Sequence, residues 1–411
     1  MRDPSLATPL PLPQYRVGPL GAHVDGFAEW LIEQDYRRDT VRTKLRLVAD
    51  FSLWLGRRRL SLASLDKQTV GRFLHGRRRR NPCGARLTLR LLLDRLRHAG
   101  VVGDPAGEEG TGSPLQLLER SFEHYLTQER GLSPATLANT LPFVRQFLVE
   151  RFGPSEISLT DLDPRDIAGF VRRRAHTLSP ARAKLLVGAL RSFFRFLRLR
   201  GDIATDLAAV VPSVADWRRT ALPKSLPPEQ VDKLLTHCDQ DTVSGLRDYA
   251  VLLLLARLGL RAGEVVALTL EDLDWHAGEI EIRGKGSRRD RLPMPHEVGQ
   301  ALASYLRRAR PRCSTRRVFV RLRAPIRELA DQRAVGTIVR QALARAGLHP
   351  PCKGAHLLRH SLAVRMLQRG ASLAEIGEIL RHRLPDTTMI YAKVDLDALR
   401  ALAQPWPGGD A

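Results

Sequence analysis

Two breaks in an otherwise helical pattern limit what this chain can fold into. Residues 101–114 contain Gly103, Pro105, Gly107, Gly110, Gly112 and Pro114. Glycine leaves the backbone unconstrained and proline ends helices, so this stretch is expected to be a flexible linker. Residues 211–228 contain Pro212, Pro223, Pro227 and Pro228 together with Arg218, Arg219 and Lys224. That composition predicts a second linker, stiffer and basic. At 411 residues the chain is too long for one ordinary core. The breaks divide it into three units, 1–100, 114–212 and 225–411.

The first two units look like copies of one another. Phe27-Ala28-Glu29-Trp30-Leu31 aligns with Phe122-Glu123-His124-Tyr125-Leu126, Val48 and Phe51 with Val144 and Phe147, and Leu65-Asp66 and Phe73 with Leu162-Asp163 and Phe170. The offset creeps from 95 to 97 residues, as single-residue changes in loops of a duplicated domain would produce. Each unit is expected to hold about four helices. In the second, Ser133-Pro134 and Ser179-Pro180 have the order of a helix cap followed by proline at the first helical position. Leu185, Leu186, Ala189, Leu190, Phe193 and Leu197 then recur at core spacing. Arg191, Arg195 and Arg198 fall on another face, suited either to a phosphate backbone or to plain solvation. The run Arg77-Arg78-Arg79-Arg80 carries the same two readings.

The third unit is mixed. Helical patterns cover about 228–238, 243–258 and 262–270. Alternation in Glu279-Ile280-Glu281-Ile282, the Gly284-Lys285-Gly286 turn and Asp290-Arg291-Leu292-Pro293 predict a β-hairpin. Arg317-Val318-Phe319-Val320 would add a strand. Further helices are expected at about 296–308, 331–347, 356–369, 372–381 and 386–403.

Charge indicates a partner. Lys and Arg number 66 against 44 Asp and Glu, a net charge of +22 with a pI near 10.9. Such a surplus repels itself unless a polyanion is bound, and nucleic acid is the natural one. Charge alone also fits a ribosomal protein or one held at an anionic membrane surface. No apolar run approaches the ~20 residues of a membrane helix. The N-terminus, Met1-Arg2-Asp3-Pro4, lacks the layout of a signal peptide. Cys83, Cys238, Cys313 and Cys352 are scattered, without a paired CxxC, so reduced thiols in a cytoplasmic protein are expected.

Chemistry concentrates in the third unit. His356, Arg359 and His360 stand at i, i+3 and i+4, on one helix face. The spacing also fits a metal-binding HxxxH, but a zinc protease needs glutamate after the first histidine and here that residue is Leu357. Arg261 and Glu264 are likewise i and i+3 at an expected helix start, where free N–H groups favour anions. A surface salt bridge is the plainer reading of that pair. Lys285 sits at the hairpin tip, and His382 precedes Tyr391 by nine residues. Two guanidiniums, two imidazoles, an ammonium and a phenol suit cleavage of a phosphodiester by a tyrosine without metal.

In this order the motifs resemble the tyrosine recombinase (phage integrase) family. They run Leu258-Gly259-Leu260-Arg261-Ala262-Gly263-Glu264, Gly284-Lys285-Gly286, His356-Leu357-Leu358-Arg359-His360, Gly370-Ala371-Ser372-Leu373, His382 and Thr387-Thr388-Met389-Ile390-Tyr391. The resemblance spans about 228–400, with the second unit similar to the family's helical core-binding domain. It implies a mainly α fold with a small antiparallel sheet: two helical SAM-like domains, then a mixed α+β catalytic domain. The implied activity is site-specific DNA recombination, as an integrase or transposase of a mobile element, through a 3′-phosphotyrosine and with no metal, ATP or other cofactor. Tyr391 would attack, Arg261 and Arg359 would clamp the phosphate oxygens, and Lys285 would protonate the leaving 5′-oxygen. His356 would assist proton transfer, His382 would donate to the phosphate, and Glu264 and His360 would support the site. Arg288 and Arg289 join Arg191, Arg195 and Arg198 as expected DNA contacts. The implied partners are double-stranded DNA gripped in a clamp, a homo-tetramer on two DNA sites, and sister recombinases. Asp395 to Ala403 would dock into a neighbouring protomer. Relaxation of DNA in the manner of a type IB topoisomerase, and silent DNA binding, are the rival functions. One departure stands out: the family usually has glycine just before the position of His382, and here it is Arg381.

Overall fold

Helix starts follow the capping residues, and apolar spacing decides which faces turn inward. A computed structural model of the chain describes residues 12–62, 65–76, 82–102, 113–153, 157–214, 222–284 and 289–394. It forms two compact units: Asp104–Ala221, and a second that combines Met1–Gly103 with Leu222–Ala411.

Within Met1–Gly103, four helices pack around one core: α1 (Val24–Glu33), α2 (Arg38–Arg57), α3 (Lys67–His75) and α4 (Pro82–His98). Asp66 caps α3 by accepting the Thr69 N–H at 2.7 Å. The Phe51 and Phe73 rings meet at 4.9 Å between centroids, joining α2 to α3. Ala324, from the later part of the same unit, packs against this core.

In Asp104–Ala221 the helices are α5 (Pro114–His124), α6 (Pro134–Phe152), α7 (Pro164–Ala175), α8 (Pro180–Arg200) and the short α9 (Leu207–Val210). Ser113 and Gln116 cap α5 reciprocally, and Asp163 caps α7 together with Asp166. Ser133 and Ser179 do stand before Pro134 and Pro180, but neither hydroxyl caps its helix. The Ser133 hydroxyl instead pairs with that of Thr136 at 3.1 Å. Phe147 of α6 packs edge-on against Phe170 of α7 and Phe194 of α8.

The remaining residues of the other unit build α10 (Pro228–Thr236), α11 (Val243–Arg257), α12 (Ala262–Ala267), β1 (Leu273–Asp274), β2 (Glu279–Arg283), β3 (Arg289–Pro293), α13 (His296–Arg308), α14 (Gln332–Arg345), α15 (Ala355–Gln368), α16 (Leu373–Ile379) and α17 (Pro385–Thr388). A 3₁₀ turn, Met389–Val394, follows. Helix α11 is buried on every side through Val251–Ala256, which marks it as the central helix of a layered core. Gly245 near its start has no room for a methyl group: a Cβ would lie 1.6 Å from the Asp239 carbonyl oxygen. The sheet is antiparallel in the order β1-β2-β3, with Ile280 opposite Leu292 and Ile282 opposite Asp290. Ile280 and Ile282 face the core, and Glu281 pairs with Arg289 at 3.0 Å.

Several expectations change. Arg317–Val320 does not join the sheet. Its contacts are isolated bridges, Thr269 to Arg317 and Val320 to Glu328, although Val318, Phe319 and Val320 are fully buried. The third strand is β1, too short to announce itself. Helix α12 stops at Ala267 and α16 at Ile379, and the expected helix at 386–403 is α17 plus the 3₁₀ turn as far as Val394. Lys285, Arg288, the run Arg77–Arg80 and the segment 395–403 lie outside the described residues.

Phe147 is 1% exposed and enclosed by two other rings, so Phe147→Ala should cost about 3–5 kcal/mol. Hydrogen exchange of the α6 and α8 amides checks this: their protection should fall by that amount, while α11 keeps its own.

Candidate active site

The site begins at the turn after α11. Gly259 has a φ of +59°, and a Cβ there would come within 2.7 Å of Leu380 and 3.0 Å of Leu362. Only glycine lets this turn approach α15 and α16 so closely. The Gly259 carbonyl accepts a hydrogen bond from one terminal nitrogen of Arg359, and the Leu380 carbonyl accepts one from the other. Arg359 thus ties the α11–α12 turn to the end of α16. It is 3% exposed, and burial followed by the nearby Arg261 and Arg381 guanidiniums brings it down to about 10.

Arg261 follows at the N-cap of α12. Its backbone N–H donates to Glu264 Oε2 at 2.8 Å, its Nη1 to Glu264 Oε1 at 2.7 Å, and its Nη2 to the Arg381 carbonyl at 3.2 Å. Glu264 is buried and also accepts from Arg381 Nη2 at 2.9 Å. Burial opposes ionisation of this carboxyl. The Arg261 N–H, the Arg381 guanidinium and that of Arg261 outweigh it and hold the group below its usual range. The Arg261–Glu264 pair is therefore shared with Arg381 and buried on its carboxylate side, while the Arg261 side chain stays 38% exposed toward the cleft.

Helix α15 carries His356 and His360, with ring centroids 6.3 Å apart. The His360 Nδ1 pairs with the Tyr391 hydroxyl at 2.8 Å, the direction depending on the imidazole tautomer. His382 Nδ1 pairs with the Thr388 hydroxyl at 2.7 Å. Its ring lies nearly parallel to that of Tyr391, with centroids 6.5 Å apart. Burial lowers all three histidines, His360 and His382 to about 4, with neighbouring cations adding to the effect. Tyr391 is 1% exposed, in a small core with Ala363, Ile376 and Leu380. Burial pushes its phenol up to about 12 against the pull of Arg359.

A cleft of about 1120 Å³ opens beside these groups, lined by Arg261, Arg283, His356, Arg381, His382 and Arg383 among others. Arg359 and Tyr391 adjoin it but are buried and do not line it. Arg261, Arg283 and Arg383 bring guanidiniums to the cleft beside the carboxylates of Asp290 and Glu378, a lining suited to an anionic ligand, while the Arg381 guanidinium is held by Glu264. Sequence reasoning had not placed Arg283 or Arg383 here, because neither lies in a spaced motif. Thr388 was visible only as part of Thr387-Thr388. Of the arginines expected along α8, Arg191 donates to the Val211 carbonyl at 2.9 Å and Arg198 pairs with Asp206 at 3.1 Å. Arg195 is exposed, with no ion pair among the described residues.

Residues 224–397 match the phage integrase family, and residues 120–201 match the phage integrase N-terminal SAM-like domain. Over 391 residues, 95% of each chain, the protein is 46% identical to y4rA of Sinorhizobium fredii, whose name describes an integrase/recombinase. The chain belongs to the phage integrase family of tyrosine recombinases. Tyrosine recombinase XerD of Listeria monocytogenes is 34% identical over 286 residues, 67% of this chain and 94% of that one. Among solved structures, XerH recombinase in its post-cleavage complex with palindromic difH gives a TM-score of 0.55 at 21% identity, over 70% of this chain and 84% of that one. A lambda integrase (75–356) dimer on a COC′ core site gives 0.52 at 18% identity, over 72% and 98%. At those identities the likeness is one of fold.

For this recombinase, the family's usual glycine before His382 has a backbone explanation. Arg381 adopts a φ of +54°, the left-handed region that glycine enters freely. An arginine held there costs about 1 kcal/mol or more.

His360 and His382 set a pH dependence. Their folded values lie below the ordinary 6.5. The unfolded chain therefore binds the proton more tightly. Stability is fully present above about pH 6.5 and is lost as pH falls toward 4. The thermal midpoint should drop between pH 6.5 and 5, and a His360→Asn/His382→Asn double variant should flatten that drop. Equal slopes in both proteins would contradict the assignment.

Proposed function

We infer that this protein cleaves and rejoins DNA as a site-specific tyrosine recombinase, with Tyr391 as the nucleophile of a 3′-phosphotyrosine intermediate formed without metal or ATP. The observation that carries the residue assignment is the cleft itself: Arg261, His356 and His382 line it while Tyr391 and Arg359 adjoin it. Arg261 clamps a nonbridging phosphate oxygen, and Arg359 adds positive charge from behind, so that charge developing in the pentacoordinate transition state is stabilised. His382, whose Nδ1 is fixed by Thr388, donates through Nε2 to the scissile phosphate. His356 has no hydrogen-bond partner among the described residues and lines the cleft, which suits proton transfer to or from the phenol. Lys285 protonates the leaving 5′-oxygen. Glu264 orients Arg261, and His360 holds the phenol between turnovers.

A phenol at about 12 is protonated at neutral pH, and one that is 1% exposed reaches no phosphate. Cleavage therefore requires Tyr391 to leave the core it shares with Ile376 and Leu380 and to exchange the His360 bond for the phosphate. Docked DNA supplies the anion that draws these cations and the phenol together.

The chain organisation proposed is an N-terminal helical domain over 1–100, a core-binding domain over 114–212 and a catalytic domain over 225–411. Three features support the first as a copy of the second. The first four helices of each are of similar length and in the same order, and both place an aspartate cap, Asp66 or Asp163, after a buried leucine. The Phe51–Phe73 ring pair has its counterpart in Phe147–Phe170. Duplex DNA is the partner, with Arg195, Arg288 and Arg289 among its contacts. Two DNA sites are joined by a homo-tetramer, alone or with sister recombinases, in the service of a mobile element.

Incubation with a nicked suicide duplex carrying the protein's recombination site should give a denaturation-resistant adduct. Tyr391→Phe should give none while binding DNA as before, with binding that weakens steeply as salt rises. An equal adduct yield from Tyr391→Phe would overturn the assignment. On paired sites the products should include recombined junctions, whereas a type IB topoisomerase activity would yield relaxed circles only.

A further inference from the structure

Arg381 is strained in its backbone and nearly closed to solvent in its side chain. Its φ is +54°, where an L side chain is disfavoured, and its side chain is 8% exposed. One terminal nitrogen donates to the Ile379 carbonyl at 3.2 Å, bracing its own turn. The other crosses 117 residues of sequence to Glu264 Oε2 at 2.9 Å. In return the Arg381 carbonyl accepts Arg261 Nη2 at 3.2 Å. Arg381 therefore meets the Arg261–Glu264 pair twice, once through its side chain and once through its backbone, and the next residue is His382.

Glu264 could offer both oxygens to the fork of a single guanidinium, the favoured geometry of such pairs. Here it does not. Oε1 takes Arg261 Nη1, while Oε2 is shared between the Arg261 backbone N–H and Arg381. We propose that Arg381 is a positioning residue for cleavage: by occupying Glu264 Oε2 it keeps Arg261 from closing bidentate on the carboxylate, and it fixes the distance between Arg261 and His382 at the scissile phosphate. With its guanidinium buried on Glu264, Arg381 neutralises no phosphate of its own. Its contribution therefore belongs to the rate of cleavage rather than to DNA affinity. The inference rests on Arg261 as the phosphate ligand.

Single-turnover cleavage of a nicked suicide duplex, at saturating full-length protein, tests it with Arg381→Gly, Arg381→Lys and Arg261→Ala beside wild type. Glycine suits the positive φ, and the strain it relieves offsets part of the lost Glu264 ion pair, so Arg381→Gly should still fold and melt cooperatively above the assay temperature. Its cleavage rate should fall at least about tenfold, as expected when a catalytic group shifts by a fraction of an ångström. The affinity for DNA and the slope of its salt dependence should stay as in wild type. Arg381→Lys, which keeps a cation for Glu264, should recover part of the lost rate. Wild-type cleavage by Arg381→Gly, or a loss of affinity that accounts for its slower reaction, overturns the proposal. So does equal cleavage by the lysine and glycine variants. Should Arg261→Ala cleave like wild type, the assignment of Arg261 fails and the proposal with it. Slow Arg261→Ala beside normal Arg381→Gly rejects Arg381 alone.

Discussion

The site depends on one carboxylate placed among cations. Arg261, Arg359 and Arg381 repel one another, and burial together with that repulsion lowers Arg359 to about 10. Glu264 offsets that repulsion from inside the cluster, ionised because Arg261 and Arg381 both hold it. Arg359 is satisfied differently, by the carbonyls of Gly259 and Leu380. These contacts draw the turn after α11, helix α15 and the end of α16 into one frame. What the frame leaves unneutralised faces the cleft, and on the proposed mechanism that is the charge a DNA phosphate would meet.

The same frame explains why the proposed nucleophile, Tyr391, rests out of reach. Tyr391 packs against Ile376 and Leu380, two residues of the segment that Arg359 and Arg381 brace. Its hydroxyl is bonded to His360 and its proton is held tightly. A free phenol near a cluster of cations would be open to any electrophile. On the proposed mechanism, a phenol kept in this small core would react only once the geometry around it changes, which would couple cleavage to the arrival of DNA.

Much of the site was legible because its residues sit in motifs with helical spacing. His356, Arg359 and His360 share one face of α15, and Arg261 with Glu264 spans the start of α12, as their intervals require. The division of labour among them was not legible. Arg359 uses carbonyls that lie 100 and 21 residues away, and no local pattern announces such partners. Glu264 looked like half of a surface pair because the third member, Arg381, arrives from the far end of the domain. In the fold, cap residues and helical periods located most helices. The apolar Val318-Phe319-Val320 was misread as a ladder strand, since burial alone gives a loop and a central strand the same composition. Strand β1 was missed because two residues carry no period.

On the proposed mechanism Tyr391 itself becomes joined to DNA without help from a metal. Trapping the complex on a suicide duplex in excess EDTA, digesting it with trypsin and nuclease, and sequencing the modified peptide by mass spectrometry tests this directly. A nucleotide is expected on the peptide of residues 384–393, attached through a phosphate to Tyr391. A nucleotide on any other residue, or an adduct that forms only when a divalent metal is restored, would contradict it.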